Sequence, residues 1–167
     1  MYLSDFETYF SQLAENHKAI NKFYPGRGLL QILEGIGSNI KYKYLSLERF
    51  ESSLTDNHSD NKMRTIRGIF YVMDKPTEQS KSTEVLRKKA ECMNVCEDII
   101  RAMYFDSKCN LNPTISGFDL NSIEMTEVPS RADAQVGFAV AFDINVFFDI
   151  RTESNNWNTP KENWKTF

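Results

Sequence analysis

Apolar and polar residues alternate strictly along one stretch near the end of the chain. From Val136 to Ile150 every second residue is apolar. A period of two held over this length predicts one long β-strand with a continuous buried face. At about 3.3 Å per residue the strand would span about 50 Å, whereas usual strands have about 5–6 residues. We therefore expect it to run past the edge of its own domain. The eight apolar positions are Val136, Phe138, Val140, Phe142, Ile144, Val146, Phe148 and Ile150.

The other face of this strand begins with small residues. Gly137, Ala139 and Ala141 predict that a helix approaches closely on that side, and the later positions are mixed. The large apolar face then needs separate cover, from a second layer or a second molecule. Leaving eight such side chains in water would cost on the order of 10 kcal/mol and create an adhesive patch.

The rest of the chain shows helical and strand periodicities in a definite order. Apolar residues three and four apart predict two helices, and runs of aromatic and β-branched residues predict three further strands. The predicted helices cover Ser4 to about Lys22 and about Thr83 to Phe105. The predicted strands cover Ile40 to about Leu54, Met63 to Met73 and Phe118 to Val128.

This α-β-β-α-β-β order lacks the regular βαβ alternation of doubly wound nucleotide-binding folds. It predicts an α+β fold with an antiparallel sheet of about four strands, helices packed on one face, and a long C-terminal hairpin. Residues 1–150 are expected to form a single domain, and residues 151–167 a tail or arm.

The predicted tail is polar but carries three large aromatic residues, Trp157, Trp164 and Phe167. Thr159 and Pro160 are typical of a helix start, so a short terminal helix is expected. Tryptophans in a polar segment require a surface to pack against. That surface is either the protein's own core or a neighbouring subunit.

Composition narrows the class of protein. The chain has 167 residues, 41% apolar and 26% charged residues and a net charge of −3. These values are ordinary for a soluble globular protein, and the acidic balance disfavours a general nucleic-acid binder. No run approaches the ~18 apolar residues that a membrane span needs, and the first residues lack the pattern of a secretory signal. We expect a cytoplasmic protein, or one in an assembly built there.

Candidate catalytic and cofactor motifs are weak. Gly26 and Gly28 lack the lysine and serine or threonine of a phosphate loop, and turns are the favoured interpretation. Cys92 and Cys96 lack further ligands at metal spacing, which favours buried thiols. His17 shows no carboxylate partner in the sequence and is expected at the edge of the first helix's apolar stripe.

The sequence of one loop allows two interpretations, a solvated turn or a metal site. Asp56, His58 and Asp60 alternate between two predicted strands, but Asn61 and Arg67 replace the glycine and glutamate of an EF-hand. A solvated hairpin loop is favoured over an ion site. We expect no cofactor and no enzymatic activity.

Several segments together resemble a family of small proteins of tailed bacteriophages and prophages of Bacteroides-type hosts. The family comprises tail-terminator, tail-completion and neck-ring proteins. The resemblance covers most of the chain and rests on patterns of fold. They are SDFETYFSQLAENHKAI, LTDNHSDNK followed by RTIRGIFYVMD, the long central helix, and the pair FDLNSIEMTEV and QVGFAVAFDINVFF.

The resemblance implies a structural virion protein at the head–tail junction, assembled in the cytoplasm of the bacterial host. Such proteins form six- or twelvefold homo-oligomeric rings between the portal or connector and the tail tube. DNA passes through the ring without specific binding. The resemblance and the long predicted strand together suggest a subunit interface. Its residues would be Phe147, Asp149, Trp157, Trp164 and Phe167. Two alternatives remain open: an adaptor or regulatory protein that binds partners through its tail, and a small enzyme.

Overall fold

A computed structural model describes residues 3–26, 39–48, 50–55, 62–77, 82–128 and 135–147. These residues form two α-helices, a short 3₁₀-helix and one six-stranded sheet. The elements are α1 (Leu3–Asn16), β1 (Lys22–Tyr24), β2 (Tyr44–Leu47), β3 (Glu51–Thr55), β4 (Met63–Asp74), α2 (Ser82–Lys108), the 3₁₀-helix (Pro113–Ile115), β5 (Phe118–Val128) and β6 (Val136–Phe147).

The sheet is antiparallel except at one edge. Its strand order is β1-β2-β4-β6-β5. The strand β3 lies outside this order and pairs with the first half of β4, whereas β2 pairs with the second half. Only β1 is parallel to its neighbour β2. The α+β class and the mostly antiparallel sheet are therefore confirmed, whereas the predicted count of about four strands and the α-β-β-α-β-β order are wrong.

The strand predicted from Ile40 to Leu54 is in fact two strands. β2 pairs with Phe70–Met73 of β4, and β3 pairs with Met63–Arg67 of the same strand. Between them the Glu48 N–H donates to the Ile69 carbonyl, which keeps the chain beside β4. Three residues of β1 add the sixth strand. Three residues are too few to show a period of two, so the sequence does not predict this strand.

The face that the helices cover carries the large alternating residues of β6. Val140, Phe142 and Ile144 are buried there against apolar side chains from both helices. The expectation that a helix would approach the small face of Gly137, Ala139 and Ala141 is therefore wrong. The helices bring their own aromatic and thiol side chains, and the large face gives them the greater contact area. The helix residues in this core are Phe6, Tyr9, Phe10, Ala14, Cys92, Val95, Cys96, Ile99 and Met103.

The small face is covered at one end by a second, smaller apolar cluster. Tyr24, Ile40 and Tyr44 pack there with Met73 and Val128. This cover comes from strands and the segment that leads into β2. A Cβ on Gly137 would lie 2.0 Å from the Val72 carbonyl oxygen, so the small residue is required by the close approach of β4.

Phe142 lies at the centre of the main core. Its ring contacts those of Phe10 and Phe70, with centroids 5.7 and 6.1 Å away. The neighbouring strand leaves room for it because residue 68 is a glycine. A Cβ there would lie 2.5 Å from both the Phe142 and the Phe50 rings.

The predicted helices differ from the observed ones mainly at their ends. α1 ends at Asn16, several residues before the predicted Lys22, because the chain turns at His17 to enter β1. Residues 148–150 of the predicted long strand lie outside the described residues, as does the predicted tail. The division of the chain at residue 150 stays a prediction.

Candidate assembly surface

The β4–β6 strand pair ends in exposed apolar side chains. Met63 lies opposite Phe147, and Arg64 lies opposite both Leu54 and Val146. Phe147 is 62% exposed and Leu54 is 60% exposed. Because neighbours in register point to one face and consecutive residues alternate, these two side chains lie on opposite faces. The end of the sheet thus presents apolar groups on both sides.

At this end β6 continues past the start of β5. Phe118 lies opposite Ile144, and the Asn145 N–H donates to the Gly117 carbonyl over 2.8 Å. A Cβ on Gly117 would lie 1.9 Å from the Asn145 carbonyl oxygen, so glycine is required where β5 begins. Beyond this point, Val146 and Phe147 have a strand partner only on the β4 side among the described residues.

The face opposite the helices is polar near this end. Arg67 lies 3.1 Å from Glu124 and 3.8 Å from Asp143 in ion pairs that join β4, β6 and β5. The Thr65 hydroxyl donates to the Asn145 side-chain oxygen over 2.8 Å. Phe147 therefore stands at the border of a hydrophilic surface.

The other end of the same strand pair holds a buried ionic cluster. Lys43 Nζ lies 3.7 Å from Asp74 and 3.2 Å from Glu91, and Lys88 Nζ lies 2.8 Å from Asp74. Lys43 and Asp74 are both almost fully buried. Arg87 also pairs with Glu91. The cluster thus ties α2 to β4 and to the start of β2.

Two groups at this cluster have pKa values that are shifted in opposite directions, one by the neighbouring charges and the other by burial. Burial opposes ionisation of Glu91, but the hydrogen bond and charge of Lys43, with Arg87, outweigh it and lower the pKa of its carboxyl. Burial raises the pKa of the Cys92 thiol to about 12 despite the nearby Lys43. The thiolate is the reactive form of cysteine, so Cys92 is unreactive near neutral pH. Burial likewise raises the pKa of Cys96. The prediction of buried thiols is confirmed for both.

A chain of neutral hydrogen bonds extends the cluster to the start of β6. The Tyr44 hydroxyl donates to the Gln135 side-chain oxygen, and the Gln135 amide donates to the Tyr42 hydroxyl, each over 2.9 Å. Gln135 is buried, and these bonds satisfy its amide. These bonds hold the residue before β6 against the start of β2.

A cleft of about 400 Å³ lies between α1 and the end of α2. At its wall the Tyr9 hydroxyl donates to Asp106 over 2.8 Å, and His17 Nε2 lies 3.4 Å from Asp98. Burial, and then Asp106, raise the pKa of Tyr9, so its hydroxyl stays protonated. No pattern in the sequence predicts the His17–Asp98 pair, because the two residues lie far apart in the chain and come from different parts of the fold. Both contacts join α1 to α2.

A larger depression of about 850 Å³ lies along α1 and β1. Its wall includes Glu7, Glu15 and Lys22, together with Ile20 and Phe23. The charged side chains among these described residues are of both signs, so the depression favours neither an anionic nor a cationic ligand.

The predicted interface residues are described only in part. Phe147 is exposed at the end of β6, and its role in subunit contact stays a prediction. Asp149, Trp157, Trp164 and Phe167 lie outside the described residues, so the adaptor alternative, which depends on the tail, also stays a prediction.

The structure does not decide whether the loop between β3 and β4 holds a metal ion. Asp56, His58 and Asp60 lie outside the described residues. Within the part of the chain that the structure describes, no three His, Cys, Asp or Glu side chains are grouped so that they could hold a metal ion.

No protein-family model matches the chain, and no curated protein sequence matches it significantly. Neither α1 nor α2, the two described α-helices, has the length and apolarity needed to cross a membrane.

Proposed function

We propose that the protein is a structural subunit of the head–tail junction of a tailed bacteriophage, either a tail terminator or a neck-ring protein. Copies form a six- or twelvefold ring around the DNA channel and join the connector to the tail. One observation carries the proposal: within the described residues, β6 extends beyond β5, and Phe147 is exposed with no strand partner on the β5 side. Such an end suits addition to a neighbouring subunit, which covers apolar groups and completes backbone pairing.

The packing of the subunit behind this end also favours a structural role. Both helices and the strands β1, β2, β4, β5 and β6 contribute side chains to one core rich in aromatic rings. The opposite end of the sheet is held by paired charges and tyrosine hydrogen bonds. A subunit that transmits load between two larger assemblies needs such a firm body beside an adhesive edge. The interface proposed here comprises Phe147 with Asp149, Trp157, Trp164 and Phe167 of the segment that follows.

The charge of the chain is compatible with a DNA channel. Its net charge is −3, and the described ion pairs occupy Arg67, Lys43 and Lys88 with acidic partners. DNA binding grows with the number of phosphates that free cations neutralise. A mildly acidic ring would let DNA pass without holding it.

The proposal is tested in phage particles. Antibody labelling of particles should place the protein at one point between head and tail, and mass spectrometry should recover it from purified virions. Deleting its gene should yield separate DNA-filled heads and tails, and supplying the gene in trans should restore joined particles. If the protein is missing from virions, and deletion leaves joined, infective particles, the proposal is wrong.

A further inference from the structure

One side of α2 carries a stripe of apolar side chains in water. Leu86, Met93 and Tyr104 are exposed, and Ile100 between them is half-buried. Positions 7 and 18 apart return to nearly the same side of a helix, so these residues form one line. The line lies beside, and outside, the buried stripe that packs on the sheet.

Ion pairs show which way this line faces. On its side of α2, Lys89 lies 2.5 Å from Glu127 of β5. On the other side of the helix, Asp98 and Asp106 contact α1. The apolar line therefore stands above the β5 edge of the sheet and away from α1.

The sheet below this line ends at β5 among the described strands. β5 is the last strand in the order, so its outer backbone groups have no strand partner among the described residues. Ile123 and Met125 of β5 pack only partly into the core at this edge. We name this surface the α2–β5 flank and define it by Leu86, Met93, Ile100, Tyr104, Ile123 and Met125.

We propose that the α2–β5 flank binds residues 148–167 of a second copy of this chain. The proposal rests on the proposed ring function and names the contact that builds the ring. The segment has the matching chemistry, since it carries Trp157, Trp164 and Phe167. Aromatic side chains bury large areas at interfaces, and an apolar groove beside an open strand edge accepts them with backbone pairing.

The place where the segment begins favours a second copy as the acceptor. β6 runs outward past the start of β5, and the alternation continues through Phe148 and Ile150. The sequence thus predicts that the chain continues away from its own flank. A segment from 148 to 167 reaches up to roughly 65 Å when extended, whereas the line from Leu86 to Tyr104 spans about 27 Å of helix. Enough length remains to cross to a neighbour.

The two halves of this contact lie on different surfaces of the subunit. Each copy gives its segment after Phe147 and receives another at its flank. Contacts of this head-to-tail kind generate closed rings when the rotation between copies closes. Repetition of this contact between the segment and the flank, with Phe147 at its start, would therefore build a ring.

Cross-linking in the full-length chain tests the contact directly. A photoreactive phenylalanine analogue replaces Trp164, and chains with and without ¹⁵N label are assembled together. The expected product joins residue 164 to a peptide of Ser82–Lys108 or β5 that carries the other label. Cross-links that join only chains of one label would place the segment on its own flank, and cross-links to any other surface would also overturn the proposal.

Matched variants separate the flank from the rest of α2. Leu86→Glu adds a charge at a residue that is 64% exposed, and Phe105→Glu does the same at 59% exposure on another side of the helix. We expect Leu86→Glu to lower the yield of the cross-link about tenfold or more and Phe105→Glu to change it less than about twofold. Equal effects of the two variants would contradict the proposal.

The failure of this contact is distinguishable from the failure of the proposed function. If the protein labels the head–tail junction in particles but residue 164 cross-links elsewhere, the ring function stands and the flank assignment is wrong. If the protein is absent from particles, the function itself is wrong, and an inter-copy cross-link would then show only self-association.

Discussion

The two ends of the β4–β6 strand pair are built in opposite ways. At the end where Asp74 lies opposite Val136, charges and hydroxyls are buried and paired with one another. At the end where Met63 lies opposite Phe147, apolar side chains face water and β6 has lost its β5 neighbour. We call the first of these the closed end of the strand pair and the second the open end.

This difference separates residues that specify the fold from residues that are free to make contacts. A buried charge such as Asp74 requires its partners within the subunit, because an unpaired charge in the interior is costly. Phe147 is mostly exposed, so we expect its ring to contribute little to the free energy of folding and to be accessible to another molecule. Substitutions at the two ends should accordingly affect different measurements.

The largest effect is expected between the ends, at Phe142. Phe142→Asp removes a fully buried ring and places a carboxylate in the aromatic core. We expect a loss of more than about 5 kcal/mol, comparable with the whole stability of a typical domain, and hence an unfolded chain by circular dichroism. Phe147→Asp on the same strand is the matched control and should stay folded. A folded Phe142→Asp variant would contradict the assigned core.

Much of the fold follows from the periodicity of single elements. The alternation from Val136 to Phe147 placed β6 and its buried face, and the apolar spacing after Thr83 placed α2. These segments are long, and one face of each is buried, so the pattern in sequence and the pattern in space coincide. The α+β class follows from them.

What the sequence missed depends on partners distant in the chain. β1 has three residues and is a strand only because β2 lies beside it. Phe50, between β2 and β3, packs on Phe6 of α1, and the face of β6 that is covered depends on where both helices lie. Lys43, Asp74 and Glu91 show no local pattern, and their cluster forms only when β2, β4 and α2 meet.

The next largest effect is expected at the closed end. Asp74→Ala leaves the buried Lys43 with Glu91 as its one remaining ion-pair partner among the described residues. Breaking a buried pair in this way typically costs about 3–5 kcal/mol, and we expect a loss near the lower figure because Lys88 can reach water. Urea denaturation measures it.

A double variant distinguishes pairing from packing at this end. Replacing both partners, as Lys43→Met with Asp74→Leu, should restore most of the lost stability, because no unpaired charge remains in the interior. If the double variant is as unstable as Asp74→Ala alone, the charges themselves are not what stabilises this end.

A smaller effect at the closed end depends on pH. Lys43 and Arg87 lower the pKa of Glu91 below its ordinary 4.5 in the folded chain. The ionised carboxylate therefore stabilises the fold above about that pH, and its contribution is lost as the pH falls through the lower native pKa. Glu91 is partly exposed, so solvent screens the effect.

Glu91→Gln isolates this contribution. We expect the variant to be slightly less stable than the parent at neutral pH and equally stable once both are below the native pKa of Glu91, by urea denaturation across the acid range. A difference between the two that is constant with pH would mean that the ionised carboxylate is not responsible.

The smallest effect on stability, and the clearest effect on assembly, is expected at the open end. Phe147→Ser should change the free energy of unfolding by less than about 0.5 kcal/mol, because the ring is mostly in water. If a neighbour covers that ring, its loss removes about 1.5–3 kcal/mol per contact and raises the concentration needed for assembly about tenfold or more. Light scattering over a dilution series measures this, with Phe105→Ser as the exposed control. A loss of stability above about 2 kcal/mol would place Phe147 in its own subunit's core and would remove the contrast between the two ends.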